Sequence, residues 1–110
     1  MRLGMGVPKT LAERRESRVP MEVRVQITGH PVLPGTEDTF TENVSAGGAR
    51  VWSTRRWKPG DRLTIATLTG SFKSIARVAY CQLIPEAGFA VGIELLGSRD
   101  GWVIGDMSAA

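Results

Sequence analysis

The chain has 110 residues, 42% of them apolar and 23% charged, and its 14 Lys and Arg against 11 Asp and Glu leave a net charge of +3. That length supports one hydrophobic core and excludes two, while the composition excludes wholesale disorder. The charge is too mild to mark a nucleic-acid binder by itself, though it favours anionic partners.

With one cysteine, Cys81, and one histidine, His30, the chain can form neither an intrachain disulfide nor a cysteine and histidine zinc site. A reducing compartment is the expectation. No apolar run approaches the roughly 20 residues that span a bilayer, and the opening "MRLGMGVPKT" lacks the apolar middle region of a signal peptide. These features predict a cytoplasmic protein with no membrane insertion.

Residues 1–12 are rich in glycine and proline, show no sustained period and read as a flexible arm. "TLAE", Thr10 to Glu13, matches a capping box and would at most start one helical turn. From Val19 to Thr28, Val19, Met21, Val23, Val25 and Ile27 alternate with polar residues and Pro20, which predicts one half-buried strand ending at the loop "GHPVLPG". A second, polar strand is expected over Thr39 to Val44 and a third over Ala49 to Ser53, with "NVSAGG" joining them. The turn "KPGD", Lys58 to Asp61, leads into a fourth strand, Arg62 to Leu68. A fifth covers about Phe72 to Leu83, and after "PEAG" a sixth runs from Phe89 to Leu96.

Short strands with closely spaced turn signals predict an all-β, six-stranded antiparallel barrel, which leaves a small chain without exposed edges. The expected organisation is an arm over 1–12, a barrel domain over 13–97 that includes a cluster of arginines, and a short tail over 98–110.

Two constellations carry chemistry. In "ERRESR", Arg14, Arg15 and Arg18 gather three guanidinium groups just before the first strand. Arginine offers a planar fork of donors that fits phosphate oxygens and the O6 and N7 edge of guanine. Taken alone, the cluster is also consistent with a solvated basic turn beside Glu13 and Glu16. In "NVSAGG", Asn43 and Ser45 supply short polar side chains, and Gly47 and Gly48 put residues without side chains where a strand needs bulk. Such glycines let something approach the backbone closely; an ordinary turn between strands reads the same way.

Taken together, "RRESR" and the later "NVSAGG", with the continuation "GGARV" and the last-strand "AVGIEL", resemble the PilZ domain family, whose hallmark is RxxxR followed by (D/N)xSxxG. The resemblance runs from about Glu13 to Leu96. It implies a receptor for cyclic di-GMP, a bacterial second messenger. Arg14 and Arg18 would be the hook that grips phosphate and guanine, with Asn43, Ser45 and Gly48 the platform. Arg15 is a helper by charge, and Gly47 would keep the surface open. Glu13, ahead of the hook, disfavours a second anionic ligand, so one ligand is expected. The resemblance also implies an unidentified downstream protein and a part in motility, surface polysaccharide or biofilm formation.

Rival readings are a PilZ-like interaction module that no longer binds nucleotide, and an OB-like binder of single-stranded nucleic acid using Trp52, Trp57, Arg55 and Arg56. The modest charge disfavours the latter, and the tryptophans read better as caps of a small core. No paired carboxylates, nucleophile and base, or metal-ligand spacing stands out, so neither an enzyme nor a cofactor is expected. His30 reads as a loop residue and Cys81 as a small buried side chain. Arg77 shares a face with Ile75 and Ala79, and Glu94 reads as outward-facing.

Overall fold

The structure is a computed structural model that describes residues 17–103. Among these residues there are strands and turns and no helix, and seven strands are arranged in one antiparallel sheet: β1 (Val19–Pro20), β2 (Arg24–Thr28), β3 (Thr36–Ser45), β4 (Gly48–Ser53), β5 (Arg62–Thr67), β6 (Lys73–Ile84) and β7 (Gly88–Leu95). The sheet order β1-β3-β2-β5-β6-β7-β4 is closed by pairing of β4 with β3, so β2 to β7 form the expected six-stranded barrel. The two-residue β1 extends the edge of β3 beyond β2.

The first predicted strand is thus broken in two. Val19 pairs with Val44 and Pro20 with Asn43, whereas Arg24 pairs with Phe40, so three residues of one strand face two of the other. That is the arithmetic of a bulge. The Thr41 hydroxyl fills it, donating to the Met21 carbonyl at 2.7 Å and accepting the Val23 amide at 2.9 Å. β3 also starts three residues earlier than the apolar pattern indicates, because Thr36, Glu37 and Asp38 are held by pairing with Thr28, Ile27 and Gln26.

Alternation decides which side chains fill the barrel. Val25, Ile27, Val44, Val51, Ile65, Val78 and Val91 are each 0–1% exposed, while β6 turns Ile75, Arg77 and Ala79 outward. Each end is plugged by aromatics. At one end Trp57 packs edge-on against His30, with ring centroids 4.7 Å apart; at the other Trp102 packs against Phe72 at 5.0 Å. Trp102 reaches the core through a β-turn in which its amide bonds the Arg99 carbonyl and Gly101 takes a positive φ of 86°.

Asn43, Val44 and Ser45 lie in β3 and Gly48 in β4, so only Ala46 and Gly47 form the turn of this hairpin. Gly48 faces the backbone of β7. A Cβ there would lie 2.0 Å from the Ile93 carbonyl oxygen. Glycine therefore allows the seam that closes the barrel.

Candidate functional site

One described residue from each sequence constellation meets on the barrel wall. Pairing of β1 with β3 sets Arg18 beside Asn43, and the Arg18 guanidinium donates from Nη1 to Asn43 Oδ1 at 2.8 Å. The bond spans 25 residues on the exposed surface, where an arginine and a carboxamide present donors to a ligand. Arg14, Arg15, Glu13 and the "TLAE" segment lie outside the described residues.

The rest of the platform is turned inward. Ser45 is 2% exposed, its hydroxyl is 3.5 Å from the Gly48 carbonyl, and its own carbonyl accepts the Trp102 indole N–H at 2.7 Å. Gly47 is buried and accepts the Leu95 amide at 2.8 Å. Gly48 is buried against Ile93. The site thus has an outer part, Arg18 and Asn43, and an inner part that fixes the β3–β4 turn.

Across the hairpin from Asn43 stands Arg50, which the sequence reading did not single out. Each nitrogen of its guanidinium makes a hydrogen bond: Nε donates to Glu42 at 2.6 Å, Nη1 to the Tyr80 hydroxyl at 3.1 Å and Nη2 to Gln82 at 2.9 Å. The hydrogen bond to Tyr80 is the main reason its pKa is raised above the usual arginine value; burial works against this and Glu42 adds to it. Tyr80 in turn lies over Gly92, where a Cβ would come within 2.1 Å of the ring. This network tiles the outer face of β3, β4, β7 and β6 next to Asn43. An outward arginine in "GARV" is the one sequence signal that points to it.

Other residues take structural places. Trp57 is 2% exposed and bonds Ser53, whereas Trp52 is half-buried on the outer face. Arg55 donates to the Leu33 and Pro34 carbonyls, and Arg56 lies 5.0 Å from the centroid of the Phe89 ring. His30 organises its loop, its Nδ1 accepting the Val32 and Leu33 amides and its Nε2 meeting the Arg56 carbonyl at 2.8 Å. Cys81 is half-buried, and its sulfur accepts the Trp57 amide at 3.4 Å. Arg77 is outward-facing with Ile75 and Ala79 and forms an ion pair with Glu94, itself exposed. Among the described residues no group of three or more His, Cys, Asp and Glu could hold a metal ion, and no helix is long and apolar enough to cross a membrane.

No family model matches the chain, and no curated protein matches it. A solved structure, that of the Bacillus subtilis inhibitor of motility MotI/DgrA, is similar with a TM-score of 0.65 at 18% sequence identity. The likeness covers 86% of this chain and 48% of the other, so the chain spans about half the length of that protein. At this identity the likeness concerns the fold: the chain shares the barrel architecture of the motility inhibitor.

Proposed function

We propose that this chain is a PilZ-type receptor for cyclic di-GMP that acts without catalysis or cofactor in the cytoplasm, passing ligand occupancy to a downstream protein. The observation that carries the reading is the Arg18–Asn43 hydrogen bond, which joins the two halves of the motif on the open surface. Arg18 supplies a fork for a phosphate or for guanine O6 and N7, and Asn43 a carboxamide for a base edge. In the sequence Arg14 and Arg15 stand four and three positions before Arg18, and the receptor reading takes them as part of the same hook. The barrel shared with a motility inhibitor supports a role in control of movement or surface life.

The burial of Ser45, Gly47 and Gly48 favours a second reading, in which these residues serve the barrel seam and the chain is an interaction module that does not bind nucleotide. Calorimetric titration separates the two. The receptor reading expects saturable heat with cyclic di-GMP and none with GTP or a short single-stranded oligonucleotide. A folded protein that gives no heat with cyclic di-GMP at high concentration supports the interaction module instead.

A further inference from the structure

On the same wall of the barrel, toward the end plugged by Trp57, the described residues form a groove of about 610 Å3 between β2, β3 and β4. Its lining includes Phe40, 37% exposed, and Trp52, half-buried on the outer face. Around these rings stand Glu22, Glu37 and Asp38 against one cation, Arg24. An acidic, aromatic groove on a chain of net charge +3 is a local reversal of sign. It suits a segment that offers cations and aliphatic side chains together.

The chain contains such a segment outside the described residues. Residues 1–12, "MRLGMGVPKTLA", hold Arg2 and Lys9, no acidic residue, and Leu3, Met5, Val7 and Leu11. Position permits the contact. Val19 faces Val44 and Phe40 lies four residues back along β3, about 14 Å at the rise of a strand. Because β1 runs antiparallel to β3, the chain ahead of Val19 leaves toward Ser45 and must reverse; the nine residue steps from Lys9 to Arg18 cover about 30 Å when extended, enough for the turn and for the return to the groove.

We propose that the Phe40–Trp52 groove is the docking site for residues 1–12 of this same chain, with Arg2 and Lys9 set against its carboxylates and the aliphatic side chains on its rings. This inference does not depend on nucleotide binding. It makes the groove a built-in holding place for the segment that leads to Arg14.

A charge swap in the full chain tests it, read by acrylamide quenching of tryptophan fluorescence. Trp57 and Trp102 are each 2% exposed, so Trp52 is the ring that the quencher reaches. Arg2→Glu with Lys9→Glu leaves every described residue untouched and is expected to raise the Stern–Volmer slope about twofold as the Trp52 ring is uncovered. Combining it with Glu22→Lys and Asp38→Lys is expected to return the slope to that of the wild type, because the pairing is restored with its signs exchanged. In the parent chain, added salt should raise the slope by screening the same contacts. Equal slopes for the wild type and the Arg2→Glu, Lys9→Glu chain would overturn the proposal, as would failure of the swapped chain to recover protection while unfolding at the same temperature as its parent.

Discussion

Replacing Gly48 by alanine adds a single methyl group, and the structure fixes where it must go. The new Cβ would sit 2.0 Å from the Ile93 carbonyl oxygen, 3.1 Å from the Ile93 carbonyl carbon and 3.4 Å from the Glu94 Cα. All three are backbone atoms, so no side chain can rotate away, and β7 must retreat from β4 by roughly 1.5 Å to restore normal contact. Gly48 pairs with Glu94 on one side and with Ser45 on the other, at the seam that closes the barrel. Weakening about two ladder hydrogen bonds there costs about 2 kcal/mol, and overpacking strain adds about 1–3 kcal/mol. The sum, about 3–5 kcal/mol, is a large share of the roughly 5–15 kcal/mol by which a domain is stable. For a domain of this size it lowers Tm by about 12 °C or more. Two glycines serve as references. The nearest atoms to a Cβ at Gly92 belong to the Tyr80 ring, which can turn aside at the cost of its bond to Arg50, and Gly35→Ala meets nothing within 4 Å and strains only a φ of 87°, so each should cost about 1–2 kcal/mol. Thermal unfolding followed by circular dichroism, with guanidinium titrations alongside, ranks the three. A Gly48→Ala protein that melts within about 2 °C of the wild type, or one more stable than Gly92→Ala, would refute the close-approach account.

Thr41→Val keeps shape but leaves the Met21 carbonyl and the Val23 amide without their partner; a loss of about 1–3 kcal/mol in denaturant titrations is expected, largely recovered by Thr41→Ser. Trp102→Ala removes the plug at the site end together with the indole bond to Ser45, for an expected loss of about 3–5 kcal/mol, whereas Trp102→Phe should cost less. Because the Arg50 pKa is raised on folding, its contribution is fully present below the usual arginine value and is lost only as pH climbs through the raised one. The Tm difference between the wild type and Arg50→Gln should therefore stay constant between about pH 6 and pH 9, and a difference that faded within that range would contradict the assigned network.

How much of this was legible in the sequence depends on how local the cause is. The alternation in β5, β6 and β7 and the turns at "KPGD" and "PEAG" follow from neighbouring residues, and the closed barrel followed from them. The break between β1 and β2 did not, because the hydroxyl that fills it belongs to Thr41, 18 and 20 residues from the atoms it bonds. Trp102 was hidden among glycines and small residues, and its burial depends on an acceptor at Ser45, 57 residues away.

Arg18 and Asn43 stood out in the sequence by their chemistry, and the structure joins them by a hydrogen bond. The glycines were read as room for a ligand, and for Gly48 the structure supplies a second reason, the backbone of a strand some 45 residues further on. Arg50, Tyr80 and Gln82 come from two strands far apart in sequence. No window of the chain shows them together.

The central claim is that Arg18 and Asn43 form one binding surface for cyclic di-GMP, and the most direct test is a double-mutant cycle on the affinity for that ligand. Arg18→Ala and Asn43→Ala should each weaken binding at least about tenfold, or about 1.4 kcal/mol, and the double variant should lose less than the two combined because the residues touch. Wild-type affinity in both single variants, or no binding by the folded wild-type chain at millimolar ligand, would contradict the claim.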